Sequence, residues 1–150
     1  MLSHMKKIKY LYIIAAACAL LFFSCSKKSN PAPAQSISLK FNGTAYSTTN
    51  LTANTSDNLT VISGEFVGQS VVLIDIPNAK VGSFDIPSSG ANVSFANGSG
   101  AQNVYTANTG NITVTSMTST SIAGTFEFTG NNVGGSPATV TSGQFQVKLP

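Results

Sequence analysis

Two carboxylates in a repeated context are the side chains of this sequence best placed to do chemistry. Asp75 and Asp85 each open an Asp-Ile-Pro tripeptide, and the two stand ten residues apart near the ends of two predicted neighbouring strands. Such a pair could share Ca²⁺ or act as the two carboxyl groups of a glycosidase. The alternative interpretation is that both are exposed acids at strand ends, which deter pairing between sheet edges. We favour this last interpretation, because antiparallel neighbours joined by a short loop place the acids at opposite ends of a hairpin.

The remaining inventory of reactive side chains is small. From residue 25 onward the chain holds no histidine, no arginine and, apart from Cys25, no cysteine. A serine nucleophile needs a base to take its proton, and zinc, copper and iron sites are usually built from histidine or cysteine. We therefore expect no enzymatic activity, no cofactor and no bound metal. A hydrolase that depends on Asp75 or Asp85 is the weaker alternative.

The charge balance excludes one class of partner. The chain has a formal net charge of +3, but three of its lysines lie in an N-terminal leader that precedes residue 25. From residue 25 onward five lysines balance five acids. Nucleic-acid binding needs clustered cations that replace counterions along the phosphates. We therefore expect no nucleic-acid partner.

The leader carries the most specific pattern in the sequence. A basic start over residues 6–9 precedes an apolar run over residues 13–23, and a serine and Cys25 follow. A charged segment, an apolar segment of ~7–15 residues and a small residue at the cut form a secretory signal, whereas a membrane-spanning helix needs ~20 apolar residues. Residues 21–25, Leu-Phe-Phe-Ser-Cys, resemble the lipobox of bacterial lipoproteins, with phenylalanine where leucine is usual. This resemblance implies a signal peptide over residues 1–24 and a lipid on Cys25.

The residues around the leader leave two alternatives open and indicate a location. Cys18 follows three alanines and is a rival lipidation point, although cutting there would leave apolar residues on the mature chain. Met5, followed by two lysines, is more typical of a natural start than Met1. Ser26 indicates the outer membrane, and Lys27-Lys28 lacks the acids that surface-displayed lipoproteins often carry there. We expect a lipid anchor on the periplasmic face of the outer membrane and an unidentified protein or glycan partner.

The composition changes twice along the mature chain. Residues 25–36 comprise the lipidated cysteine and a tether with two prolines and no large apolar residue. Residues 37–150 show short apolar or alternating runs broken by Asn, Gly, Ser and Thr, which is typical of strands and turns. We predict one all-β domain, an antiparallel β-sandwich or flattened barrel with mainly meander connections. Such a domain suits a non-enzymatic binding or structural module. A barrel cavity for a small apolar ligand is the main alternative.

Individual strands can be placed from these runs. The predicted strands are 37–41, 44–47, 59–66, 70–76, 81–86, 93–96, 104–107, 111–117, 122–129 and 139–149. Asn42-Gly43 suits a type I′ hairpin, because both positions tolerate positive φ. Residues 71–74 are apolar at every position, which predicts a strand covered on both faces. Tyr46 and Tyr105 are expected to pack in the sheet and not to form an exposed platform for sugars.

The last two predicted strands give the clearest register. Alternation along residues 122–129 places Phe126 and Phe128 on a buried face. Val140 and Phe145 are five residues apart, so an unbroken strand would point them to opposite faces. A bulge at residues 142–143 would bring both onto the same face.

Three motifs in the C-terminal third carry a family resemblance. They are Gly110-Asn-Ile-Thr-Val-Thr115, Ile122-Ala-Gly-Thr-Phe-Glu-Phe-Thr129 and Val140-Thr-Ser-Gly-Gln-Phe145. The pattern resembles G-x-I-T-I-T, I-S-G-T-F-x-F-T and V-T-x-T-x-G-x-F of a small lipoprotein family of the Bacteroidota that has no assigned function. Ala123 stands where that family often has serine, and the third motif is one residue shorter. The resemblance extends over about residues 38–150 and implies a fold but no site residues.

Overall fold

Short alternating runs separated by glycine and asparagine turns produce ten antiparallel strands. The computed structural model describes residues 34–150, so Cys25, the leader and most of the predicted tether lie outside it. The strands are β1 (Ser36–Phe41), β2 (Thr44–Thr48), β3 (Leu51–Ser56), β4 (Leu59–Phe66), β5 (Ser70–Pro77), β6 (Gly82–Ile86), β7 (Asn92–Ala96), β8 (Val104–Met117), β9 (Ser121–Asn131) and β10 (Pro137–Lys148). The predicted all-β class is confirmed.

The strands form a single sheet in which neighbours in sequence are neighbours in space. The order is β2-β1-β10-β9-β8-β7-β5-β4-β3, and β6 also pairs with β8. β6 and β7 pair with successive stretches of the same edge of β8. Only two residues separate the end of β2 from the start of β3. Counting each of these two pairs as one interrupted strand leaves eight positions in a simple meander. Of the two predicted architectures, a sandwich or a flattened barrel, the structure is therefore a nearly closed barrel, and the predicted meander connections are confirmed.

Pairing between the first and last strands nearly closes the barrel. β1 pairs with β10 from Ser36↔Gln146 to Phe41↔Val140. The seam lies at the interrupted strand, because β2 pairs only with β1 and β3 pairs only with β4. Two hydrogen bonds to Glu65 of β4 stabilise this seam. Thr48 Oγ1 donates to the Glu65 carbonyl at 2.6 Å, and the Glu65 N–H donates to the Asn50 carbonyl at 3.0 Å.

Side chains of alternate residues fill the interior of the barrel, as a barrel of eight strands permits. Phe95, Ile112 and Ile122 are completely buried, and Phe126 and Phe128 are each 3% exposed, which confirms the predicted core positions. We call the end of the barrel at which β1 ends and β10 begins the far end. An aromatic cluster fills the far end and comprises Phe41, Tyr46, Phe66, Phe95 and Tyr105, with ring centroids 4.8 to 6.0 Å apart.

Three glycines face phenylalanines across the strands β8, β9 and β10. The register pairs Gly110 with Phe128, Gly124 with Phe145, and Gly143 with Phe126. A Cβ atom added to Gly124 would lie 2.6 Å from the Phe145 ring, and one added to Gly143 would lie 2.8 Å from the Phe126 ring. Both distances are far below van der Waals contact. The rings therefore occupy the space that a side chain at the opposite position would need.

Two predicted local features are confirmed. Asn42 and Gly43 have φ values of 46° and 85°, as a type I′ hairpin requires. The β9–β10 register shifts between Val140 and Gly143, and Ser142 has a φ of 53°, so the bulge lies at the predicted residues. Because of this bulge, Val140 and Phe145 both face the interior.

Three details of the sequence prediction are wrong. Residues 71–74 are covered on one face only, with Leu73 37% exposed, because a single closed sheet has only one inner face. β6 does not pair with β5, since β7 occupies that edge of β5. The predicted strands 104–107 and 111–117 are one strand, β8, with register shifts near Asn108 and Thr115. β3 was not predicted.

The first prediction concerns the core. Phe128→Ala removes a ring that is 3% exposed, and it should lower the free energy of unfolding by ~3–5 kcal/mol through lost transfer free energy and the cavity left behind. Urea unfolding monitored by circular dichroism measures the change. A loss below ~1 kcal/mol would show that the ring is not part of a packed core.

The second prediction concerns the glycine–phenylalanine pairs. Gly124→Ala should destabilise the fold by ~1–3 kcal/mol, because the new methyl group overlaps the Phe145 ring and the surrounding backbone must shift. Gly134→Ala is the matched control, since its added Cβ meets nothing closer than the Gln102 amide oxygen at 3.1 Å. Equal stability losses in the two variants would contradict the overlap.

Candidate functional site

The two carboxylates singled out from the sequence lie on the outside of the barrel and do not converge. Asp75 is on β5, between Val61 of β4 and Asn92 of β7 in the register. Asp85 is on β6, opposite Asn111 of β8. Residues 34–150 contain no group of three or more His, Cys, Asp or Glu side chains that could hold a metal ion. The Asp-Ile-Pro repeat therefore does not assemble a shared site.

The surroundings of these two acids differ. β5 is paired on both sides, so Asp75 does not protect a sheet edge; its neighbours Val61 and Leu73 are apolar. Burial raises the pKa of the Asp75 carboxyl above its ordinary value. Asp85 lies on β6, which pairs only with β8, and it is exposed. Only Asp85 therefore fits the predicted role of an acid that deters edge pairing.

Asp85 belongs to a hydrogen-bonded group centred on Asn111. The Asn111 side-chain amide donates to Asp85 Oδ1 at 2.8 Å and to Ser83 Oγ at 2.7 Å, and its oxygen accepts a hydrogen bond from Thr113 Oγ1 at 2.8 Å. These contacts use both amide protons of Asn111 and fix the orientation of its side chain. Glu127 stands beside Asn111 in the β8–β9 register.

Shallow depressions cross the outer face of β8, β9 and β10, and we call this surface the outer groove. It consists of three adjoining depressions of about 280, 390 and 260 Å³. The outward side chain of Glu127 stands between the first two, and those of Thr125 and Gln144 stand between the last two. From the Thr129 row to the Ala123 row this surface extends ~20 Å along the strands, at about 3.3 Å per strand residue.

Each depression lies over one of the glycine–phenylalanine pairs. The first contains Gly110 and Phe128, the second Gly143 and Phe126, and the third Gly124 and Phe145. Both members of each pair face the interior, so only their backbone is presented to the outer face. The pairs that fill the core therefore also form the floor of the outer groove.

The walls of the outer groove are polar and almost uncharged. Thr109, Thr129 and Thr139 form one row across the three strands, and Thr113, Thr125 and Gln144 form another. Glu127 is the only charged residue among those that line the three depressions. The side chains of Thr125, Glu127 and Gln144 are exposed to solvent.

Sequence reasoning missed this groove, although its residues carry a detectable pattern. Every second residue of Thr109–Thr115 and of Thr125–Thr129 is polar and faces outward. The alternation predicts a neutral polar surface, but only the register of three strands places these residues side by side. The two tyrosines, by contrast, behave as predicted: Tyr46 and Tyr105 pack in the aromatic cluster, and the Tyr46 hydroxyl donates to Asn97 Oδ1 at 2.8 Å.

The fold and the outer groove define a small antiparallel β-barrel module with a packed interior and a polar external face. Residues 34–150 match the family described as Domain of unknown function (DUF6252), and the chain belongs to that family. No curated protein and no solved structure matches the chain. The match confirms the expectation that this chain belongs to a family without an assigned function.

Among residues 34–150 no helix has the length and apolar character needed to cross a membrane.

The third prediction follows from the raised pKa of Asp75. A carboxyl whose pKa is higher in the folded than in the unfolded state destabilises the fold when it is charged, and this penalty disappears as the pH falls through the folded pKa towards 3.8. Asp75→Asn should therefore increase the free energy of unfolding at pH 7 and lose this advantage near pH 3. Urea unfolding at both pH values measures the difference.

Glu127→Gln is the control for that measurement, because the Glu127 side chain is exposed. This substitution also removes one negative charge, but it does not remove a partly buried carboxylate. A pH-independent effect of Asp75→Asn, or a decrease in stability at pH 7, would show that burial does not penalise the charged form.

Proposed function

We propose that this protein is an exported lipoprotein whose barrel acts as a non-enzymatic binding or structural module of the cell envelope. The lipid is carried by Cys25, and the lipid anchor holds the protein in the outer membrane on its periplasmic face. Residues 26–36 connect this anchor to the barrel. The resemblance of the C-terminal motifs to small lipoproteins of the Bacteroidota supports the same assignment.

The observation that carries the proposal is the order of residues in the leader. A basic segment, an apolar run too short to span a membrane and a cysteine directly after a small residue occur together at residues 6–25. Acylation converts such a cysteine into a stable anchor when two or more chains are attached, since a single chain gives only marginal binding. The barrel begins eleven residues after Cys25, at Ser36, so a short segment separates the anchor from the first strand.

The described domain supports a binding or structural role over the two alternatives. A carrier of a small apolar ligand needs unfilled apolar space inside the barrel, whereas the inward positions of this barrel carry bulky residues such as Phe95, Ile112 and Ile122, which are completely buried. A glycoside hydrolase needs two carboxyl groups that flank one substrate bond, and Asp75 and Asp85 lie on two strands that do not pair with each other and in different surroundings. The polar outer groove, in which Glu127 is the one charged lining residue of the described chain, is the surface that we propose for contact with a partner.

The fourth prediction tests the anchor. Cys25→Ala should move the protein from the membrane pellet to the soluble fraction and abolish incorporation of an alkyne-labelled palmitate, because the acceptor thiol is lost. Cell fractionation with a high-salt wash, followed by detection of the label, measures both effects.

Cys18→Ala is the matched control, because it removes the rival lipidation point and leaves Cys25 in place. This variant should pellet and incorporate label like the unmodified protein. A Cys25→Ala protein that still pellets after the salt wash, or label that depends on Cys18, would refute lipidation at Cys25.

A further inference from the structure

We infer that one end of the barrel docks on the anionic phospholipid surface into which the lipid anchor is inserted. This end lies opposite the far end, and we call it the tether end, because β1 and the link to Cys25 begin there. The inference names a contact surface for the lipoprotein proposed above and rests on its lipid anchor. It is carried by the distribution of charge along the barrel and by the point at which the link is attached.

Two turns, one loop and the end of β10 form the tether end, because antiparallel strands alternate in direction. The Asn78 N–H donates to the Asn58 carbonyl, which joins the β5–β6 loop to the β3–β4 turn. The Leu149 N–H donates to the Thr120 carbonyl at 3.0 Å, which joins the end of β10 to the β8–β9 turn. Gln35, directly before β1, accepts a hydrogen bond from the end of β10. The link to the anchor is therefore attached within this surface.

Charged side chains are distributed unequally between the tether end and the rest of the barrel. Lys80 of the β5–β6 loop, Lys148 at the end of β10 and Asp57 of the β3–β4 turn are exposed at the tether end, so two lysines against one acid give +1. The other described residues hold Lys40 and four acids, so one lysine against four acids gives −3. These acids are Glu65, Asp75, Asp85 and Glu127. A terminal carboxylate at Pro150 would make the tether end neutral and still leave the rest at −3.

This distribution of charge orients the barrel against an anionic surface. Lysines close to a membrane are attracted by the negative potential of its anionic lipids, and the attraction falls off within a Debye length. The acids on the sides of the barrel are repelled by the same potential. The contact that brings two lysines and only one acidic side chain to the phosphates is the contact through the tether end.

Exposed apolar side chains accompany the lysines at the tether end. Val81 follows Lys80 and is 60% exposed, and Leu59, opposite Pro77 in the register, is 39% exposed. Lysine side chains lay their aliphatic stems along apolar surface and keep the charged group in the polar layer. Val81 and Leu59 therefore suit the boundary between headgroups and acyl chains. Two such side chains bind weakly by themselves, so the anchor supplies the affinity and the tether end sets the orientation.

The far end is the competing contact, and its properties differ. Its turns comprise residues 42–43, 67–69, 97–103 and 132–136, which include exposed valines but no charged residue. It therefore offers no cation to lipid phosphates.

The length of the link also disfavours contact through the far end. The twelve residues of β10 span ~40 Å along the strand, or ~30 Å along the barrel axis at the usual strand tilt. The eleven residues from Cys25 to Ser36 reach at most ~40 Å. A far-end contact would use most of that reach, whereas a tether-end contact uses little of it.

The experiment uses the full lipidated protein in vesicles of phosphatidylethanolamine and phosphatidylglycerol. Ser119→Cys in the β8–β9 turn and Ser99→Cys in the β7–β8 loop each provide one exposed position for a fluorescent label, at the tether end and the far end respectively. A lipid with a spin-labelled headgroup quenches a label that lies close to the surface. Quenching at residue 119 should exceed quenching at residue 99 by about threefold or more, because the lysines hold the tether end at the phosphates.

Substitution of the lysines tests the cause of the orientation. Lys80→Gln/Lys148→Gln should bring the quenching of the two labels to within about twofold of each other. Raising the salt concentration from about 0.1 M to about 1 M should do the same, since the Debye length falls from about 10 Å to about 3 Å. Lys40→Gln is the control, because it removes a lysine near the end of β1, towards the far end, and should preserve the difference.

Three results would overturn docking through the tether end. They are equal quenching of the two labels, stronger quenching at residue 99, and a difference that survives both the double variant and high salt. Vesicle flotation separates this inference from the proposed anchor. Protein that floats with equal quenching retains the anchor and refutes only the docking, whereas protein that does not float refutes the anchor and, with it, the docking.

Discussion

The close approach of phenylalanine rings to glycines across the strands is the constraint on which both sides of this barrel depend. Inside, the rings of Phe126 and Phe145 occupy positions where side chains at Gly143 and Gly124 would collide, and the backbone and Cβ of Phe128 do the same at Gly110. Outside, the same backbone forms the floor of each depression in the outer groove. One packing arrangement therefore fills a narrow interior and shapes the face that is available to a partner.

This arrangement gives a physical meaning to the sequence motifs of the C-terminal strands. The three motifs contain Gly110, Gly124 and Gly143 together with the phenylalanines that face them. The bulge at Ser142 keeps the pairs in register, because without the extra residue Phe145 would point outward. The motifs that carry the family resemblance thus describe a packing pattern, and the polar residues that alternate with it, such as Thr113, Thr125 and Gln144, form the outer face.

Much of the fold could be predicted from local patterns, and the remainder depends on long-range pairing. β4 begins and ends at the predicted residues because Leu59–Phe66 alternates clearly between turn signals. β3 was missed because Leu51-Thr-Ala-Asn-Thr-Ser holds one large apolar residue, and its pairing with β4 stabilises it instead. Residues 71–74 are apolar throughout, and local composition cannot show that their outer face meets solvent. The outer groove needs the register of three strands, which no single segment contains.

Closure of the barrel by its first and last strands has a consequence for the order in which the chain folds. β1 finds its second partner only in β10, and the Lys148 N–H donates to Gln35 Oε1 across 113 positions of sequence. Contacts between such distant residues form late, because the loop-closure entropy is lost before the contacts are gained. A chain that emerges N-terminus first therefore cannot complete this barrel until its final strand is available. Such a delay keeps the polypeptide threadable, which agrees with the export that we propose for this protein.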